Sequence, residues 1–186
     1  MIKFIILIST AILLVVIPEA SLFAQTNGAS EPSKGVVVEP AASAGIKGGL
    51  IVCLGVANPE RLADLARCRR FLVHGLDPDA AVVEKARVVL EKSGLYGQHV
   101  SVEHGRLATL PYASNLANLI IVEAPATGLD LKESFRVTAP GGKIWLSAGA
   151  GDEAALKATG FTDVQAAAGG LLGTKPRPPG LDEWPH

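Results

Sequence analysis

Apolar residues are spaced along this chain in two alternating registers, short unbroken runs and stripes at helical spacing. Leu50-Ile51-Val52-Cys53-Leu54 is apolar at every position, the pattern of a strand buried on both faces. It ends in the turn Gly55-Val56-Ala57-Asn58-Pro59, and Pro59 suits the first turn of a helix, where its missing N–H costs nothing. Leu62, Leu65 and Ala66 then make a helical stripe. Phe71 to Leu76 reads as the second strand and ends at Asp77. Asp79 reads as the N-cap of the longest helix, with Val82, Ala86, Val89 and Leu90 on one face. Glu84, Arg87 and Glu91 take the other face, Arg87 and Glu91 at pairing distance, and Gly94 ends the helix. Three further strands follow at Val100–Glu103, Leu119–Val122 and Lys143–Leu146. A helix over Asp130–Val137 precedes the last of these, with Pro140-Gly141-Gly142 as the turn between them. A short helix at Glu153–Ala158 and a strand around Phe161–Ala166 complete the series. Strands alternating with helices predict a doubly wound, mostly parallel α/β sheet with helices on both faces and the functional edge at the strand C-termini.

The first residues follow a different pattern. Lys3 precedes an uncharged apolar run from Phe4 to Ile17, which Pro18-Glu19 breaks before the small residues near Ala24. The run is shorter than the roughly 20 residues of a membrane-spanning helix and fits the core of a secretory signal. The expectation is an exported protein with a signal peptide over residues 1–24. Leu22 matches the cleavage pattern poorly, so a membrane anchor formed by residues 4–17 stays open. Residues 25–44 read as a Ser/Gly/Pro-rich linker running into a short leading helix from Ala41, and the domain proper spans 45–174.

Composition narrows the picture. The chain has 186 residues, enough for one ordinary domain. Its 17 basic and 18 acidic residues nearly cancel, which argues against a nucleic-acid partner. Aromatics are only 5%, so the core must be aliphatic and alanine-rich. Cys53 and Cys68 fall at opposite ends of a strand–helix unit, too far apart for a disulfide, and both are expected to be free and buried. His74, His99, His104 and His186 are scattered, so no metal site is expected, and His74 reads as packed or hydrogen-bonded core.

Candidate chemistry concentrates at the first two strand ends. Gly55 permits backbone to approach a ligand, and Asp77, 22 residues on, stands where an acid meets ribose hydroxyls in such folds. A carboxylate accepts two hydrogen bonds from a vicinal diol. The rival reading makes Asp77 a helix cap, and the rival reading of Gly55 is a turn kept for packing alone.

Ile51-Val52-Cys53-Leu54-Gly55, Val73-His74-Gly75-Leu76-Asp77, Glu84-Lys85-Ala86-Arg87, Gly105 with Leu110-Pro111-Tyr112, Phe135 to Gly142, and Ala158-Thr159-Gly160-Phe161 occur in that order. The set resembles the class I S-adenosylmethionine-dependent methyltransferases, in particular the type 11 group, over about residues 45–170. The resemblance implies a Rossmann-like fold, S-adenosylmethionine as cofactor and a small-molecule methyl acceptor. It implies cofactor contacts at Gly55, Ala57, Asp77, Arg106, Leu107 and Glu123, and it names no catalytic base. Ala57 and Pro59 stand where the family's turn carries further glycines. Arg106 stands where an acid usually meets the adenine amino group; an arginine stacks on a purine but accepts no proton. Glu123 ends the fourth strand, where family members hold polar groups facing the substrate; a solvated strand-end carboxylate is the plainer reading. The absent G-x-G-x-x-G spacing disfavours a dinucleotide-dependent oxidoreductase.

The Pro-rich tail 175–186, Lys175-Pro176-Arg177-Pro178-Pro179 followed by Leu181-Asp182-Glu183-Trp184-Pro185-His186, is similar to a junction in large secreted bacterial proteins. There a methyltransferase-like domain precedes a β-propeller of pyrroloquinoline-quinone-binding type, which implies an extracytoplasmic partner or a missing propeller domain. Trp184 reads as an interaction anchor or as a remnant of that junction. Two functions follow: a methyltransferase with a degenerate cofactor loop, or a non-catalytic binding module that keeps the fold.

Overall fold

The structure, a computed structural model, describes residues 39–179. The expected signal segment, the linker up to residue 38, and the tail from residue 180 with Trp184 lie outside the described residues. Each apolar run becomes a strand. The elements are β1 (Gly49–Leu54), α1 (Pro59–Arg67), β2 (Phe71–Asp77), α2 (Ala80–Lys92), β3 (Val100–His104), β4 (Ala117–Val122), α3 (Leu131–Val137), β5 (Thr138–Ser147), α4 (Glu153–Thr159), β6 (Thr162–Ala167) and β7 (Gly170–Thr174). They form one sheet in the order β3-β2-β1-β4-β5-β7-β6. β1 to β5 run parallel, and β7 lies antiparallel between β5 and β6. This is the doubly wound, mostly parallel α/β sheet that the pattern predicts.

Alternate residues of the central strands feed two cores. Ile51, Cys53, Val73, Leu119 and Ile121 face α1 and α2 and meet Leu62, Leu65, Val83 and Leu90. Val52, Leu54, Leu76, Ile120, Val122, Ile144 and Leu146 face the other way, toward Val137, Leu156 and Phe161. Burying each such side chain contributes about 1.5–3 kcal/mol, so the sheet centre dominates stability. Helix starts are fixed by local chemistry. Asn58 accepts from the Arg61 N–H at 3.2 Å with Pro59 as the first helical residue, and Asp79, Asp130 and Asp152 cap α2, α3 and α4 in turn.

No helix joins β3 to β4 among the described residues. Residues 105–116 cross as a loop, and one arginine ties it down. Arg136 pairs with Glu133 and donates to the carbonyls of Tyr112 and Leu110 at 2.8 and 3.1 Å. Its guanidinium, together with the Leu110 N–H, holds the Glu133 carboxyl at about 2. Under the loop, His74 hydrogen-bonds the Tyr112 hydroxyl, and burial depresses the imidazole's basicity. His74 is therefore hydrogen-bonded as expected.

Several expectations are corrected. The leading helix from Ala41 is a run of turns, because Pro40 and Gly45 (φ +66°) bracket too few residues to nucleate a helix. Pro140-Gly141-Gly142 lies inside β5, as a bulge in which Ala139 to Gly142 oppose Asn118 alone. Val83, Ala86 and Leu90 carry the buried face of α2, with Val82 and Val89 flanking it, and Arg87 pairs with Glu84 rather than Glu91. Cys53 and Cys68 are free, but only Cys53 is fully buried. β7 was not expected. Lys175 belongs to the domain rather than to a tail: its backbone continues the β5–β7 pairing, and its side chain is buried. Among the described residues no helix is long and apolar enough to cross a membrane.

Candidate functional site

At the C-terminal edge of the sheet, the ends of β2, β1 and β4 stand side by side. A cleft of about 210 Å³ opens above them, and Gly55, Ala57, Asp77 and Glu123 line it. Arg106 and Leu107 do not. Arg106 is exposed, and Leu107 is buried in the core that holds Leu76 and Leu110. Four of the six expected contact residues are thus brought together.

Gly55 continues the ladder beyond β1, donating its N–H to the Leu76 carbonyl at 2.9 Å. It adopts φ +89°, and a β-carbon there would lie 3.0 Å from the Glu123 carbonyl oxygen. A side chain is disfavoured twice, by backbone conformation and by contact. The turn then brings the Val56 N–H onto Asp77.

Asp77 is 7% exposed, and both its oxygens are engaged. Oδ2 accepts from Val56 N–H at 2.9 Å and Oδ1 from Asp79 N–H at 2.8 Å. These bonds pin the β1 turn to the start of α2. Asp79 is the helix cap, accepting from Ala81 N–H at 2.8 Å, so the capping role proposed for Asp77 falls to Asp79. An ionised carboxylate has about four lone-pair sites, so Asp77 keeps acceptor capacity toward the cleft.

Glu123 is not a solvated strand-end carboxylate. It is 7% exposed and ion-paired with Arg61 of α1, Nη1 to Oε1 at 2.7 Å. Burial raises its pKa above the ordinary carboxylate range, with Arg61 and the Asn58 N–H pulling the other way. The Arg61 guanidinium also lies over the Trp145 ring, 5.5 Å from its centre. The Trp145 indole N–H is buried and has no hydrogen-bond partner among the described residues. Asp79, Pro78, Val82 and Thr127 complete the lining. The lining is therefore acidic at Asp77, Asp79 and Glu123, with an apolar flank at Pro78 and Val82.

Arg61 had a sequence signal that went unread. It lies in the first turn of α1, where the helix dipole disfavours a cation, so its place there asks for a specific acidic partner. Pro59 opens α1 and does not line the cleft.

No family model matches the chain, and no curated protein does. Solved structures do. A methyltransferase of Aquifex aeolicus that depends on S-adenosylmethionine matches at 17% identity and TM-score 0.57, over 77% of this chain and 96% of its own. The S-adenosylmethionine-dependent methyltransferase SibL, solved in its apo form, matches at 17% identity and TM-score 0.58, over 70% of this chain and 51% of its own. The [4+2]-cyclase SpnF matches at 19% identity and TM-score 0.54, over 63% of this chain and 53% of its own. The chain thus spans about half the length of SibL and SpnF. At these identities the likeness is one of fold. The chain has the Rossmann-like fold of the S-adenosylmethionine-dependent methyltransferases.

Proposed function

We propose that this cleft binds S-adenosylmethionine and that the domain transfers its methyl group to a small-molecule acceptor. The observation that carries the reading is the row Asp77, Gly55, Glu123 across the ends of β2, β1 and β4 in an acidic cleft. The residues fit the group. Asp77 has acceptor capacity left for a vicinal diol, Gly55 lets backbone approach without a side chain, and Pro78 and Val82 flank a purine. Three carboxylates oppose a phosphorylated nucleotide and favour a cation. Bound there, the cofactor supplies an electrophilic methyl group on a positively charged sulfur. The chain's own contribution is to orient it through Asp77 and to face it with an acidic lining at Asp77, Asp79 and Glu123. Among the described residues no side chain stands out as a general base, and positioning alone supports such a transfer.

A second reading is a binding module without turnover. The size of the cleft favours it, since about 210 Å³ falls below the roughly 300–1,000 Å³ of ordinary small-molecule sites. Ala57 in the turn points the same way. Calorimetric titration with S-adenosylmethionine and S-adenosylhomocysteine is expected to show binding of both, and methyl-transfer assays then separate the readings. Asp77→Ala is expected to weaken binding by about 1–3 kcal/mol, the worth of hydrogen bonds to a charged group. Unchanged affinity would remove Asp77 from the site. Its unfolding midpoint belongs in the same experiment, because Val56 and Asp79 lose their acceptor as well.

The domain is read as working outside the cytoplasm, carried there by the signal segment 1–24, with an extracytoplasmic protein or propeller as partner. N-terminal sequencing of the mature protein is expected to begin at Gln25. An intact Met1 in a membrane fraction would instead favour an anchor at residues 4–17.

A further inference from the structure

The row of strand ends also gives the cleft a direction. A nucleoside whose ribose meets Asp77 at the end of β2 runs its 5′ substituent over Gly55 toward Glu123 at the end of β4. If that substituent is an α-amino acid, its carboxylate arrives where the lining is acidic, among Asp77, Asp79 and Glu123. Like charges repel, so such a ligand needs a cation at this end. Arg61 supplies one, but the cation is engaged: its Nη1 lies 2.7 Å from Glu123 Oε1. The guanidinium also lies over the Trp145 ring, 5.5 Å from its centre, a second contact that does not involve Glu123.

We infer that Glu123 holds Arg61 in reserve, and that a ligand bearing an α-amino-acid end parts the pair, its carboxylate taking Arg61 and its ammonium taking Glu123. This rests on reading the cleft as an S-adenosylmethionine site. The exchange balances in charge, since one internal ion pair becomes two pairs with a zwitterion and neither Arg61 nor the buried Glu123 is left without a counter-charge. It also explains a cleft too small for the whole ligand, because parting Arg61 from Glu123 widens that end. Arg61 is then the residue that selects for the amino-acid end, a role distinct from capping or packing α1.

Calorimetry on the purified chain tests this with two ligands that share the nucleoside and thioether. S-adenosylhomocysteine carries the amino-acid end, and 5′-methylthioadenosine lacks it. The unsubstituted protein is expected to prefer S-adenosylhomocysteine by about tenfold or more, the worth of one charge-assisted hydrogen bond. Arg61→Met is expected to erase that preference and leave 5′-methylthioadenosine within about twofold, since the shared part keeps its contacts. Glu123→Gln, which frees Arg61 but leaves the ligand ammonium without its counter-charge, is expected to reduce the preference without erasing it. Equal weakening of both ligands by Arg61→Met would show a merely structural arginine and overturn the inference. Loss of the preference in Glu123→Gln but not in Arg61→Met would overturn it too. If the unsubstituted protein binds the two ligands equally well, the inference falls and the cofactor reading stands. If it binds neither, both fall.

Discussion

Lys175→Met is expected to lower the stability of the domain by more than about 2 kcal/mol, since each buried acceptor left without its donor costs about 1–3 kcal/mol. The Lys175 ammonium donates to Asn115 Oδ1 at 2.7 Å, to the Phe135 carbonyl at 2.7 Å and to the Thr138 carbonyl at 2.8 Å. Two of these acceptors lie at the C-terminal end of α3, where carbonyls lack partners and the helix dipole favours a cation. The ammonium also sits 4.6 Å from the centre of the Phe135 ring. Methionine keeps the stem and its packing but removes the donors, leaving the buried Thr138 carbonyl and the part-buried Phe135 carbonyl unsatisfied while the exposed Asn115 turns to water. Urea unfolding with an unchanged slope and a lowered midpoint is the expected result. A change within about 0.5 kcal/mol, the ordinary surface range, would mean that water takes over the site.

The second large effect is expected at Gly170. A β-carbon there would lie 2.0 Å from the Leu146 carbonyl oxygen and 3.0 Å from Trp145 Cε2. The first contact is backbone, so no rotamer relieves it, and β5 and β7 must separate at the Leu146–Leu171 and Ser147–Gly170 pairs. Gly170→Ala is expected to cost more than about 3 kcal/mol, the upper range for overpacking, and to expose β6 and β7 to amide exchange. Gly169 supplies the control. It adopts φ +71° at the hairpin tip, and a β-carbon there meets only Trp145 Cζ2 at 3.8 Å. Asparagine tolerates that conformation, so Gly169→Asn is expected to stay within about 1 kcal/mol of the unsubstituted protein. Matching stabilities for the two variants would contradict the close β5–β7 approach.

These two positions mark the boundary of what could be read from sequence. The five parallel strands were legible because each carries a short apolar stretch, continuous in β1 and alternating in β3, bounded by glycine, proline or a capping acid. Asp79 was legible as a cap, and Asp77 was left free by it. β6 was legible as the strand around Phe161–Ala166, whereas β7 hid, because Ala166 to Gly170 carries only alanine and glycine and nothing there announces a second strand. Lys175 hid because its acceptors lie 37 to 60 residues away, beyond any local pattern, and the prolines after it read as a tail. At the cleft, Gly55, Ala57, Asp77 and Glu123 sit at strand ends, and strand ends can be counted. Arg61 belongs with them only through the third dimension. Arg106 and Leu107 were carried to the site by resemblance alone, and neither lines the cleft.

Lys175 has a consequence for architecture as well. It fixes the outgoing chain beside Asn115 and Thr138, at the edge where the parallel strands begin, and the incoming chain reaches β1 at Gly49 on that same edge. The cleft opens at the opposite edge. The entry into β1 and the chain leaving β7 thus both stand at the edge away from the cleft, so neither crosses its mouth.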